Sequence, residues 1–160
     1  MSRTPNAHEE YLASMIDRAG VAVAVAESLT GGELSARLAR TPGSGAWFRG
    51  GLVAYASEVK HEVLDVPPGP VVSEAAAAAM AAGACRLLGA TVAIAVTGVG
   101  GPDPQDDQPP GTVWFALSHD GSVVTRLERF DGTPEEIVDT TCACALQWLR
   151  EHLEERTSAN

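Results

Sequence analysis

The sequence predicts an α/β fold, a three-layer α/β/α sandwich on a mixed, mostly parallel sheet of about five strands. Two observations predict it. Apolar runs at residues 21–26 and 91–97 stand between helical patterns, as expected for strands that are covered on both faces. Two further strand patterns, at 112–117 and 123–130, are joined through the hairpin signal His119-Asp120-Gly121, so we expect antiparallel strands as well.

The remaining elements follow from apolar spacing and from helix-end signals. A strand is predicted over 50–56, and helices are predicted over 8–19, 31–40, 57–64, 73–88 and 134–153. Thr30 followed by Glu33 predicts a capping box for the second helix. Caps of the later helices are predicted at Ser57, Ser73 and Thr133. The polar tail from Glu154 is expected to fray.

Length and composition predict a single domain over residues 1–160, with its core between about 8 and 153. The net charge of −10 argues against nucleic acid as a partner, because no basic stripe exists to replace its counterions. No apolar run reaches a membrane span and the N-terminus lacks an apolar signal segment, so we expect a cytoplasmic protein without membrane contact. Three cysteines and four scattered histidines lack metal-ligand spacing, so we expect neither a metal nor another cofactor.

Ser28 stands on a tight turn between the first strand and the second helix. The free backbone N–H groups expected around Thr30, Gly31 and Gly32 can hold an anion or a developing oxyanion. Ser28 in this position is a candidate nucleophile, although the turn lacks the G-x-S-x-G motif. The alternative is that Ser28 and Thr30 merely cap a helix, which is the commoner use of such residues.

Lys60 is the only lysine among 11 basic residues, the other ten being arginine. Arginine keeps its proton in proteins, whereas lysine can be tuned into a base. In the first turn of a helix capped by Ser57, the helix dipole would lower the pKa of this lysine. Neutral Lys60 could then take the proton of a serine hydroxyl, with the Tyr55 phenol as relay. The alternatives are a solvated amine at Lys60 and a core aromatic at Tyr55.

A glycine- and proline-rich loop over 98–111 follows the most apolar strand. Its first residues offer bare backbone that could cradle a phosphate or a ring, and the candidate binding residues are Thr97, Gly98, Gly100, Gly101 and Asp103. The loop is not a P-loop, because no G-K-[ST] follows. A loop of this length in a compact domain indicates function or a flexible connector.

Five sequence blocks, taken together and in order, resemble a known family. The blocks are Ala26-Glu27-Ser28-Leu29-Thr30-Gly31-Gly32, Trp47-Phe48 with 50–60, Val72-Ser73-Glu74, 97–103 and 110–114. They are similar to the C-terminal domain of the CinA proteins, a nicotinamide-nucleotide amidohydrolase also called NMN deamidase. The resemblance covers roughly residues 8–153, and five ordered blocks are jointly specific although each alone is weak.

The resemblance implies an α/β/α fold and the hydrolysis of a pyridine mononucleotide, nicotinamide mononucleotide, to nicotinate mononucleotide and ammonia without a metal. It implies Ser28 as the nucleophile, and Tyr55 and Lys60 match the family's tyrosine and lysine. It also implies a homo-oligomer. Larger CinA proteins carry an additional N-terminal domain, so this chain is expected to be the stand-alone form.

Two departures from the family pattern bear on substrate preference. The family often has cysteine where Leu29 stands, and its loop commonly reads G-P-D-G-G followed by acidic residues and K-P, whereas residues 101–109 here read G-P-D-P-Q-D-D-Q-P. A second interpretation, from another class, is a catalytically silent nucleotide-binding or regulatory module that retains the glycine loops. Ammonia release from nicotinamide mononucleotide distinguishes the two.

Overall fold

The structure is a computed structural model that describes Thr4 and residues 6–159. Its helices are α1 (Ala7–Ala19), α2 (Glu33–Arg40), α3 (Ser57–Leu64), α4 (Glu74–Leu88) and α5 (Pro134–Ser158), with a short 3₁₀ turn at Ser44–Ala46. Its strands are β1 (Val23–Glu27), β2 (Phe48–Val53), β3 (Val92–Gly98), β4 (Thr112–His119) and β5 (Ser122–Arg129).

The strands form one mixed sheet in the order β2-β1-β3-β4-β5. The β1 strand pairs in parallel with both β2 and β3, while β4 pairs antiparallel with β3 and with β5. The predicted α/β class, the mixed sheet of five strands and the terminal hairpin are therefore confirmed. At the hairpin turn Asp120 and Gly121 both have positive φ, as a two-residue turn between antiparallel strands requires.

The two faces of the sheet carry side chains of different size. One face presents valine, isoleucine and phenylalanine to a core that α1, α2 and α5 cover, including Val25, Ile94 and Phe115. The opposite face presents alanines such as Ala26 and Ala95 to the alanine-rich helix α4. Small side chains on both surfaces let a helix pack closely on the sheet. The alanine-rich sequence of α4 thus suits the alanine face that it covers.

Helix ends confirm some of the predicted caps and correct others. Ser73 and Thr133 cap α4 and α5 as predicted, each accepting a hydrogen bond from a backbone N–H three residues later. The capping box predicted for Thr30 is wrong, because the N-cap of α2 is Gly32, without a side-chain bond. Ser57 is the first residue of α3 rather than its cap, which is Ala56. The predicted fraying from residue 154 is wrong as well, because α5 continues to Ser158.

The carboxyl ends of β1, β2 and β3 meet at one edge of the sheet. The backbone N–H of Ala54 donates to the carbonyl of Glu27 at 2.9 Å, and Ala26 pairs with Ala95. A methyl group built on Gly100 would lie 3.9 Å from Cβ of Leu29. The three stretches that the sequence singles out as chemical candidates are therefore neighbours. Across the described part of the chain, no helix combines the length and apolarity needed to cross a membrane.

Candidate active site

The last residue of β1, Glu27, is a fully buried carboxylate at the N-terminus of α2. Its Oε1 accepts hydrogen bonds from the Thr30 hydroxyl at 2.6 Å, Gly32 N at 3.3 Å and Leu34 N at 2.9 Å. Its Oε2 accepts from Ser35 N at 2.8 Å and from the Ser35 hydroxyl at 2.6 Å. An anion at this helix end is favoured by the helix dipole and by charge-assisted hydrogen bonds. Glu27 therefore caps α2 in place of Thr30.

The Glu27 carboxylate reduces the number of backbone N–H groups in the serine turn that remain available to bind an anion. The N–H of Gly32 donates to Glu27, and the N–H of Gly31 donates to the Ser28 carbonyl at 3.0 Å. The predicted anion site at Gly31 and Gly32 is thus occupied by the protein itself. Within the described residues, the backbone N–H groups of Leu29 and Thr30 donate to no protein acceptor, so these two remain available for an oxyanion.

Ser28 is 6% exposed and lies on the bend between β1 and α2. Among the described residues its hydroxyl makes no hydrogen bond, and it does not cap α2, so the capping interpretation of Ser28 is wrong. Its carbonyl accepts from Gly31, which tightens the turn. A nearly buried hydroxyl without a structural partner is free to serve chemistry.

Lys60 is among the largest fully buried side chains of the described residues and is 1% exposed. Its ammonium nitrogen Nζ donates to the carbonyl of Tyr55 at 3.0 Å. Burial lowers the pKa of Lys60, and the charge of Asp106 partly opposes that shift. An ammonium has three donors and pays heavily in desolvation when they are not all matched. The surface-amine interpretation is therefore wrong, and burial shifts the amine toward the neutral form that a base requires.

The cause of the lowered pKa differs from the one that the sequence predicts. Lys60 is the fourth residue of α3, and its own N–H already bonds to the Ala56 carbonyl at 3.3 Å. Burial is the largest cause that acts on the ammonium.

Tyr55 contributes its backbone to Lys60, while its side chain points outward with 70% exposure. The core-aromatic interpretation is therefore wrong. Within the described residues no hydrogen bond joins the Tyr55 phenol, the Ser28 hydroxyl and Lys60 Nζ to one another. A proton relay through Tyr55 stays a prediction, and it requires the side chain to turn toward a bound substrate.

The glycine loop is anchored at its start and exposed at its tip. Thr97 is buried, and its hydroxyl donates to the Val71 carbonyl at 2.6 Å. Gly98 packs against β4, since a Cβ built there would lie 2.6 Å from the Thr112 carbonyl oxygen. Gly100 and Gly101 lie closer to the serine turn and to α5, and Asp103 is exposed. Their binding roles stay predictions.

Sequence reasoning overlooked two carboxylates that organise this edge. Glu27 had a readable signal, an acidic residue between an apolar strand and a helix start. Asp106 had none, because it meets its partners Val71 and Val72 across 35 and 34 positions of the chain.

An open cavity of about 880 Å³ lies beside the serine turn, at the N-termini of α2 and α5. It is lined by Thr30, Glu33, Arg37, Thr133, Glu135, Glu136, Val138 and Asp139. The guanidinium of Arg37 is already paired with Glu33 and Asp139. The lining therefore holds an excess of negative charge, which opposes an anionic group and favours a cationic or neutral one.

Cys142 packs in the apolar core of the domain. Burial raises the pKa of the Cys142 thiol to about 12, as expected for a small residue in an apolar core. In the part of the chain that the structure describes, no group of three His, Cys, Asp or Glu side chains is placed to hold a metal ion.

The fold and this edge define an α/β/α domain with a serine turn and a buried lysine beyond the carboxyl ends of parallel strands, where such sheets place their sites. Residues 5–153 match the model of the CinA C-terminal domain family. The chain belongs to this family.

Proteins of similar sequence are also described as CinA-like. A CinA-like protein of Frankia casuarinae is 43% identical over 150 residues, covering 91% of this chain and 35% of that protein. A CinA-like protein of Mycobacterium marinum is 44% identical over 140 residues, covering 83% of this chain and 33% of that protein. The chain thus spans about a third of the length of the curated relatives it matches.

Solved structures share the fold along nearly the whole chain. A CinA superfamily protein of Klebsiella pneumoniae superposes with a TM-score of 0.89 at 34% identity, covering 94% of this chain and 99% of that one. The competence damage-inducible protein A of Klebsiella pneumoniae subsp. pneumoniae superposes with a TM-score of 0.86 at 36% identity, covering 93% and 98%.

Proposed function

We propose that the protein is an amidohydrolase that converts nicotinamide mononucleotide to nicotinate mononucleotide and ammonia, with Ser28 as nucleophile and Lys60 as base. The observation that carries the proposal is the burial of the only lysine beside the strand ends that hold an unpartnered serine. Burial of a lysine costs stability, and a buried lysine with a lowered pKa is a candidate functional group. The family membership of the chain supports the same function.

The chemistry proceeds in two stages. The Ser28 hydroxyl attacks the carboxamide carbon while its proton passes to neutral Lys60, directly or through Tyr55 or water. The free N–H groups of Leu29 and Thr30 stabilise the oxyanion of the tetrahedral intermediate. Lys60 then returns the proton to the departing nitrogen, which leaves as ammonia. Water attacks the ester on Ser28 and releases the nicotinate product.

The charge of the substrate deserves a direct comparison because of the acidic cavity beside Thr30. Nicotinamide mononucleotide carries a phosphate, whereas nicotinamide riboside is a cation without one. Both offer the same carboxamide to Ser28. Measuring kcat/KM for the nucleotide and for the nucleoside shows whether the phosphate is favoured or disfavoured at the site.

A second candidate is a catalytically silent nucleotide-binding or regulatory module. Among the observations, the absence of a hydrogen bond between Ser28 and Lys60 in the described residues favours it. A binder would show a ligand-dependent rise in melting temperature without ammonia release.

The test is ammonia release by the purified protein with either substrate, compared with Ser28→Ala. We expect Ser28→Ala to fold, to bind substrate and to lose turnover. Ser118→Ala is the matched control, because Ser118 is 3% exposed but lies at the far end of β4. Equal ammonia release by Ser28→Ala and the wild type would remove Ser28 as nucleophile.

A further inference from the structure

A groove of about 700 Å³ is lined by residues of α1, α2 and α5. It adjoins the acidic cavity beside the serine turn, and Glu33, Arg37 and Asp139 line both. Along α5 the groove reaches from Asp139 to Arg150, about 16 Å at the rise of an α-helix. Clefts of this volume are typical of sites for small molecules.

The carboxylates of the groove already have partners within the protein. Glu33 Oε1 accepts from Arg37 Nε at 3.1 Å, and Asp139 pairs with the same guanidinium. Glu9 Oε2 accepts from the backbone N–H of Asn6 at 3.1 Å, as part of the capping box of α1. The negative charges of the groove are therefore matched, and so is the guanidinium of Arg37.

The two other arginines of the groove are not matched in this way. Within the described residues, neither Arg40 nor Arg150 donates a side-chain hydrogen bond. Arg40 Nη2 lies 3.9 Å from Glu33 Oε1, and Arg150 Nε lies 3.6 Å from Glu154 Oε1, which are ion-pair distances only. The Nε of Arg150 is buried and has no hydrogen-bond acceptor in the described part of the chain. Guanidinium donors without acceptors are the groups that gain most from an added anion.

The surroundings of these arginines indicate the chemistry of a ligand. Two guanidiniums in one groove favour a dianion, and their planar forks match the oxygens of a phosphate. The side chains of Leu12, which is 4% exposed, and Leu146, which is half-buried, add apolar surface to the same groove. The net charge of −10 repels anions in general, so an anion at this place depends on the local contacts.

We propose that the groove between α1, α2 and α5 binds a phosphate monoester. Arg40 and Arg150 hold the phosphate, and the apolar body of the molecule lies against Leu12 and Leu146. This site is separate from the turn that carries Ser28, and it does not depend on the proposed function.

Phenyl phosphate is the probe, because it combines a phosphate and an apolar ring and has no carboxamide for Ser28. Its affinity for the purified protein is measured by calorimetry, and its position by the shifts of backbone amide signals in NMR spectra. We expect shifts at Leu12, Ala143 and Leu146. We also expect tighter binding than for benzoate, which has the same ring and only one negative charge.

Arg40→Gln and Arg150→Gln should each weaken phenyl phosphate binding by about tenfold or more, the usual loss for a charge-assisted hydrogen bond. Arg86→Gln is the matched control, because Arg86 is 54% exposed and pairs with Asp65 at 3.0 Å outside the groove. It removes the same charge from the protein and should leave the affinity unchanged. All three variants are first checked for a native melting transition.

A fourth variant, Ala143→Leu, narrows the groove without changing its charges. Ala143 is an exposed residue of α5, and leucine is a good helix former, so the fold should tolerate the change. This variant should weaken phenyl phosphate more than inorganic phosphate, because only the former has a ring to accommodate.

Three outcomes would overturn the proposal. They are no binding of phenyl phosphate by the wild type, equal affinities in Arg40→Gln, Arg150→Gln and Arg86→Gln, and amide shifts confined to Thr30 and Gly31, which would place the anion at the serine turn. None of these measurements uses ammonia release, so a failure of the proposed function leaves the test of the groove intact.

Discussion

At the residue scale, the two charged side chains most deeply buried at the strand ends differ in the number of hydrogen-bond partners they have. Glu27 is matched by five hydrogen-bond donors, and Lys60 by one carbonyl. A buried charge with full hydrogen bonding is a structural element, whereas a buried charge with few partners costs stability and indicates function. The two residues should therefore respond in opposite ways to neutral substitution.

We predict that Lys60→Met keeps or raises the melting temperature while turnover falls by about 10²–10⁴-fold, the usual loss for a general base. Lys60→Arg should lose activity to the same degree, because a guanidinium keeps its proton. Ammonia release and thermal unfolding of both variants test this. An arginine variant within a few-fold of the wild type would show that Lys60 supplies only positive charge.

For Glu27 we predict that Glu27→Gln lowers the free energy of unfolding by more than about 2 kcal/mol, because the amide NH₂ would face donors that now bond to a carboxylate oxygen. Glu33→Gln is the control, since it removes a charge from the same helix end at a side chain that is 41% exposed. The control should change stability by at most about 1 kcal/mol. Equal effects in denaturant titrations would contradict the capping role of Glu27.

At the scale of elements, a substitution of Gly100 tests whether the glycine loop contacts the substrate. A methyl group there would meet Leu29 at an ordinary 3.9 Å, whereas Gly98 is too close to Thr112 and Gly101 has φ of 86°. We predict that Gly100→Ala changes stability by less than about 0.5 kcal/mol and raises KM. Gly45→Ala, which adds the same methyl in open space, should alter neither. An unchanged KM and kcat in Gly100→Ala would leave the loop as a connector.

The docking of α5 on β4 includes a histidine pair. His119 Nδ1 lies 2.7 Å from His152 Nε2, and Asp120 Oδ2 lies 3.4 Å from His119 Nε2. Burial is the largest cause that lowers the pKa of each ring. The charge of His119 further lowers the pKa of His152, and the charge of Arg156 lowers the pKa of both rings. Asp120 raises the pKa of His119, and Glu155 raises that of His152, without reversing either shift.

We predict that stability is lost on acidification through these rings. In the pH range between the unfolded value of about 6.5 and the lower folded values, the unfolded chain binds more protons than the folded one. The contribution is therefore complete above about pH 6.5 and falls as pH drops toward the folded pKa values. His152→Gln should flatten the dependence of melting temperature on pH, and His8→Gln, an exposed histidine, should not. Parallel curves for all three proteins would contradict this role of the pair.

At the scale of the whole molecule, the described residues place a set of exposed apolar side chains next to the candidate site. Val53, Tyr55, Val59 and Val63 are 46%, 70%, 37% and 44% exposed. Apolar surface of this kind marks interaction sites. Three open cavities of the described residues are lined by side chains other than Ser28, Tyr55 and Lys60.

We predict a homo-oligomer in which a second copy covers this set. Light scattering should give a mass of at least twice 16.6 kDa. Val59→Asp should reduce the mass to that of one chain, whereas Val124→Asp, at a 54% exposed valine on the opposite edge strand, should not. A monomeric wild type, or dissociation by Val124→Asp alone, would contradict this assignment of the interface.

The sequence predicts the layers, the mixed sheet of about five strands and the strand ends that carry the candidate residues, because these depend on apolar spacing and local caps. It does not predict how Glu27 and Asp106 act, since their partners are donors from other segments that only the fold assembles. It places Lys60 correctly in a helix but does not predict burial as the largest cause of its lowered pKa. Tyr55 shows the same limit, as its carbonyl rather than its phenol meets Lys60.

The alternation of valine and alanine along β1 and β3 has a consequence for misfolding. Strands buried on both faces lack the polar alternation that ordinarily penalises a one-residue slip. Here a slipped β1 would push Val25 into the space sized for alanine against α4 and leave voids under α1 and α2. Overpacking and cavities each cost about 1–3 kcal/mol or more per site. Differences in side-chain volume thus disfavour the one-residue register slip of β1. In sheets with one face in water, the alternation of polar and apolar side chains disfavours such a slip.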